Sequence, residues 1–119
     1  MKKLLLAGIA VLAALAVAAS AQAGCWATVK LSSMPTGRVW DVNVTPLQHG
    51  RTLLPGAKPR IEIRRASGRW HVFAARPTAK AGVFHARVVF PARGTWQLRI
   101  WDGFEPECAR FHTYRVTVK

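Results

Sequence analysis

Acidic side chains are scarce in this chain. Its 119 residues carry five carboxylates, Asp41, Glu62, Asp102, Glu105 and Glu107, against 18 lysines and arginines. Three of the five crowd one stretch, residues 102–107. That leaves no paired catalytic carboxylates, and a single loop is a poor source for a calcium cage. No Gly-x-Ser-x-Gly motif and no phosphate-cradling glycine loop occurs. No two of the four histidines fall at close ligand spacing. After Gly24 there is no internal repeat, no low-complexity tract and no sustained 3.6-residue periodicity, which argues against solenoid and helical architectures. We expect a protein that is not an enzyme.

The N-terminal residues read as an export leader. Lys2 and Lys3 precede an unbroken, alanine-rich apolar run of 16 residues, 4–19, and Ala21-Gln22-Ala23 supplies small side chains at minus three and minus one. A membrane span needs ~20 strongly apolar residues, so a retained anchor is the weaker alternative. We expect a helical signal peptide over residues 1–23 and a single mature domain over residues 24–119. Its location is then the periplasm, the cell envelope or the extracellular space.

Two cysteines remain in that domain, Cys25 at its start and Cys108 before its last strand. An oxidising compartment makes them one disulfide. The rival places a lipid on Cys25, since Ala23-Gly24-Cys25 fits the end of a lipoprotein processing site, although Gln22 stands where leucine is usual.

Setting Lys2 and Lys3 aside leaves 16 basic residues against five acidic ones, a net charge of +11, and 12 of the basic residues are arginine. Arginine forms forked contacts with phosphate and carboxylate, so the balance favours polyanionic partners such as anionic lipid or acidic wall polymers. Export argues against nucleic acid. The plain alternative is a solubilising surface.

Short alternating runs rich in Val, Ile, Trp and Phe, punctuated by Pro and Gly, fill the mature chain. We read strands at residues 26–32, 39–45, 60–65, 69–75, 83–90, 95–101 and 111–118. Residues 46–59, with three prolines and two glycines, read as a connection. Trp40, Val42, Val44, Ile61, Ile63, Phe84, Ala86, Val88, Phe90, Trp96, Leu98, Ile100, Tyr114, Val116 and Val118 are expected inside. Seven such strands predict an all-β, immunoglobulin-like sandwich. In that topology Cys25 and Cys108 precede the first and last strands, whose starting ends lie together. Asn43-Val44-Thr45 matches a glycosylation acceptor but falls mid-strand, so we assign it a structural role.

The run Gly82-Val83-Phe84-His85-Ala86-Arg87-Val88-Val89-Phe90-Pro91-Ala92-Arg93-Gly94-Thr95-Trp96 resembles the Gly, aromatic, Ala, apolar, Phe-Pro, Gly, Trp pattern of YtkA-like domains. Val44-Thr45 with Gln48-His49-Gly50, and Phe111-His112 with Tyr114-Arg115-Val116, are similar too. These are small exported or membrane-attached immunoglobulin-like modules related in shape to FixH-like proteins. The resemblance implies that fold and a binding or accessory role, and no residue-level activity. The two cysteines depart from the pattern.

Three candidate sites follow. Arg60, Arg64, Arg99 and Arg115, with Trp101 and Phe111, project from one outer face and interleave cations with aromatic area, as an anionic or sugar-bearing polymer requires. The alternative is that the arginines cover aromatic edges and pair with Glu62 across strands. Residues 102–107 form an acidic tip with one apolar residue, Phe104, fit for an envelope protein partner or for pairing with nearby arginines. His49, beside Gly50 in the long connection, is the residue a copper ion would reach, and His and Met suit that metal. His71 and His85 alternate outward as surface residues.

Overall fold

The computed structural model describes residues 25–119. The leader assigned to residues 1–23 lies outside the described residues. The described chain is all-β, with strands β1 (Ala27–Leu31), β2 (Val39–Gln48), β3 (Thr52–Leu53), β4 (Arg60–Arg64), β5 (His71–Ala74), β6 (Arg76–Pro77), β7 (Phe84–Val89), β8 (Gly94–Trp101) and β9 (Phe111–Val118). Two antiparallel sheets form. One has the order β1-β2-β7-β6 with β3 added against β2, and the other has the order β5-β4-β8-β9.

Alternation decides which side chains meet between the sheets, because successive residues of a strand point to opposite faces. Trp40, Val42, Val44, Ala86, Val88 and Phe90 come from the first sheet and Ile61, Ile63, Trp96, Leu98, Ile100, Val116 and Val118 from the second, in one buried cluster. Tyr114 packs against it partly buried. Fully burying a Val, Ile or Leu contributes ~1.5–3 kcal/mol, so this cluster is what holds the layers together. The two polar donors it includes are satisfied: Trp40 Nε1 donates to Ser33 Oγ at 3.0 Å and Trp96 Nε1 to the Ala92 carbonyl at 3.0 Å.

Each of the seven expected strands overlaps an observed one, and the two-residue strands β3 and β6 are additional. The connection expected at residues 46–59 begins later than its prolines imply, because β2 runs on through Pro46 to Gln48. The reason lies in the hydrogen-bond parity. His49 N donates to Trp26 O and Ser32 N to Asn43 O, so Thr28, Lys30 and their partners are the bonded pairs and Pro46 turns its ring nitrogen away from β1. On that other side the β2–β7 ladder has already ended at Val44↔Phe84. Proline is tolerated where no ladder bond is asked of it. Gly82, just before β7, sits at φ 83°, and an added Cβ would meet Leu53 Cβ at 2.9 Å. The turn thus seats β3 against the start of β7.

Cys25 and Cys108 form a disulfide with Cα atoms 5.2 Å apart. It ties the entry to β1 in one sheet to the entry to β9 in the other. The bridge takes the sulfur that a lipid on Cys25 would need.

Candidate functional site

The outer face of the β5-β4-β8-β9 sheet is built from three cross-strand rows. β4 faces β8 with Arg60↔Trp101, Glu62↔Arg99 and Arg64↔Gln97, and β8 faces β9 with Trp101↔Phe111, Arg99↔Thr113 and Gln97↔Arg115. Glu62 is therefore central and lies opposite an arginine. It accepts a hydrogen bond from Arg60 Nε at 2.6 Å and two from Arg99, Nε at 3.0 Å and Nη2 at 2.7 Å. Burial by itself would raise its pKa, but those hydrogen bonds and the two positive charges outweigh it and hold the carboxyl below its ordinary value.

Around this anion the arginines and rings alternate. The Arg64 guanidinium lies 4.4 Å from the Trp70 ring centre, and Arg99 lies 3.8 Å from Trp70 and 4.0 Å from Phe111. Arg60 lies 4.9 Å from Trp101 and 5.5 Å from Phe111. Each such contact contributes ~0.5–1 kcal/mol at an exposed site. Together they hold long side chains in fixed positions. Arg64 gives Gln97 its Nε at 2.8 Å, whereas Arg99 commits both Nε and Nη2 to Glu62. Trp101 Nε1 is buried with no acceptor among the described residues.

Above β8 this arrangement leaves a groove of about 780 Å³, lined by Arg64, Trp70, Gln97, Arg99, Phe111 and Arg115 among others. No carboxylate of the described residues lines it. Arg64, Arg99 and Arg115, read from the sequence as binding residues, thus converge on one concavity. Arg60 and Trp101 sit in the neighbouring row. The alternative of arginines covering rings and pairing with Glu62 is also present, and the two coexist: Arg64 and Arg99 line the groove stacked on Trp70, while Arg99 stays paired with Glu62.

Trp70 was not among the residues singled out from the sequence, and it forms a groove wall. The β4–β5 register, Arg60↔Ala74 through Ile63↔His71, extends to place Trp70 beside Arg64. A tight turn centred on Ser67 gives that pairing from sequence alone.

The other expected sites change. The acidic tip is not a uniform patch, because Asp102 is 0% exposed. It accepts from Phe104 N at 3.0 Å and from Arg110 N at 3.3 Å, and its Oδ2 lies 2.9 Å from His112 Nε2. Its side-chain partner is a histidine and not an arginine; it organises the β8–β9 loop from inside. Glu105 and Glu107 remain exposed, and Phe104 is half-buried away from the groove lining. His49 occupies the β2–β3 turn at φ 52°, its ring 4.9 Å from Trp26. Among the described residues no three His, Cys, Asp or Glu side chains group to hold a metal. His85 lies 3.4 Å from Asp41, which Arg87 also approaches at 3.3 Å.

No known family model and no curated protein matches the chain.

Proposed function

We propose that this protein is an exported, non-catalytic, immunoglobulin-like module of the YtkA-like type that binds an anionic envelope ligand across the outer face of the β5-β4-β8-β9 sheet. The strand partition supports the fold type, since β1, β2 and β7 share one sheet while β4, β8 and β9, joined by β5, form the other. The disulfide supports an oxidising compartment. One observation carries the function: three guanidiniums line one groove that no carboxylate of the described residues lines. Arg64 and Arg99 are fixed by aromatic stacking and Arg99 also by Glu62, with Arg64 and Arg115 left as the groove's unneutralised cations. Held cations lose little side-chain freedom when a ligand arrives, so the affinity they give is greater than that of loose surface charge.

The test uses polygalacturonate, a soluble uronate polymer, in isothermal titration. Binding is expected to weaken steeply as NaCl rises from about 50 to 300 mM. Arg64→Ala combined with Arg115→Ala should weaken it about fivefold or more, while Arg87→Ala on the opposite sheet leaves it unchanged. Equal weakening by Arg87→Ala would show a diffuse charge effect and no site.

A further inference from the structure

Resting on the groove reading, a second feature of the same face narrows the ligand. Among the described residues β9 is an edge strand, paired with β8 alone. Asp102 N donates to Arg110 O, which makes His112, Tyr114, Val116 and Val118 the residues bonded to β8. Thr113, Arg115 and Thr117 therefore turn their N–H and C=O groups away from the sheet, and these have no partner among the described residues. The open stretch is closed at both ends. Lys119 N donates to Thr36 O at 2.9 Å, and Cys108, just before the strand, is bridged to Cys25.

Natural proteins protect edges by shortening them, by placing lysine or proline on them, or by bulges. The other edges here follow that practice in part: β1 has five residues and carries Lys30, β5 has four, and β6 has two and includes Pro77. β9 has eight residues, no lysine and no proline, and its ladder with β8 runs unbroken from Gly94↔Val118 to Trp101↔Phe111. It is also the strand whose outward residues Phe111, Thr113 and Arg115 form one wall of the groove.

We infer that the open edge of β9 is the docking line for an extended, acidic peptide segment of a partner protein, which adds to the sheet as a further strand. Main-chain bonds to Thr113, Arg115 and Thr117 supply the register, and alternate side chains supply selectivity. In an added antiparallel strand, residues whose N–H groups face β9 carry their side chains on the same outer face as Arg115. Those are the positions where acidic side chains meet Arg115, with Arg99 and Arg64 behind it. A second copy of this chain fits worse, because edge-to-edge pairing would bring two Arg115 faces of two strongly basic bodies together.

The probe is a fluorescein-labelled decapeptide of alternating glutamate and valine, followed by fluorescence anisotropy with the oxidised protein. Two further peptides carry the same charge but are N-methylated at the glutamates or at the valines. Methylation at the glutamates is expected to weaken binding about tenfold or more, and methylation at the valines to leave it intact. Thr113→Pro removes an outward N–H without touching the β8 ladder, and should weaken the peptide about as much with little change in thermal unfolding. Should that variant fail to fold, the two methylated peptides decide on the wild-type protein. Equal binding of both methylated peptides overturns the inference. So does a peptide that does not bind while polygalacturonate still binds through Arg64 and Arg115, a result that leaves the groove reading standing. A dimer in light scattering that Thr113→Pro dissociates also overturns it, by naming a second copy as the occupant.

Discussion

Glu62 is 3% exposed, yet it stays charged because two guanidiniums reach it, Arg60 from its own strand and Arg99 from the neighbouring β8. Removing one member of a buried ionic group costs more than the group contributes as a whole, since the remaining charges lose their partner. Glu62→Gln should therefore cost ~3 kcal/mol at neutral pH and loosen Arg99 from its place between Trp70 and Phe111. The sign of the pH dependence follows from its depressed pKa. The unfolded chain binds this proton more readily than the folded one, so the stabilisation is fully present above the ordinary value of 4.5 and is lost as pH falls through the lower folded value. Urea unfolding of wild type and Glu62→Gln from pH ~7 to ~3 should show the gap between them narrowing toward the acid end. A constant gap would mean that Glu62 acts through shape and not through charge.

Among the loops, the one between β8 and β9 approaches another stretch of backbone closely at Gly103. Gly103 has φ 70°, and an added Cβ would fall 2.4 Å from the Lys58 backbone. Lys58 N also donates to Gly103 O at 3.3 Å, so the loop is laced to the chain entering β4. Gly103→Ala meets both a left-handed conformation and a backbone clash, and should lower stability by ~3 kcal/mol. Gly56→Ala, which meets nothing within 4 Å, should change it by less than ~1 kcal/mol. Chemical denaturation midpoints of the two variants test this, and equal midpoints would contradict the close approach. At this scale much of the fold was legible in sequence. Phe84, Ala86, Val88 and Phe90 alternate so cleanly that β7 and its inner face follow from periodicity alone. Pro46 was harder to read, because whether a proline ends a strand depends on which side its missing N–H faces, and that is set by strands distant in sequence. Asp102 was misassigned for a similar reason: its neighbours Glu105 and Glu107 are exposed, and only His112 from the next strand shows why it is inside. Trp70 was within reach of hairpin symmetry, whereas its stacking on Arg99 needed the second pairing partner of β4.

The whole molecule depends on a small core. A chain of this size removes only about 60–65% of its unfolded surface from water, and the interior between the two sheets rests on a single cluster. The Cys25–Cys108 bridge spans 83 residues, nearly the whole described chain, so it restricts almost every unfolded conformation. In the chain-entropy account a loop of that length stabilises by roughly 4–5 kcal/mol. It also joins the sheet that carries the groove to the sheet that does not. Reduction, or Cys25→Ser with Cys108→Ser, should lower the melting temperature by on the order of 20 °C. Because the closure lies at the start of β9, the effect should extend to the binding face. Hydrogen exchange at His112 and Tyr114 should rise more than at Val42 or Ala86 in the reduced protein still folded at low temperature. A uniform rise across both sheets would place the bridge's effect wholly in the unfolded chain, and a melting shift below about 5 °C would mean the two sheets hold together without it.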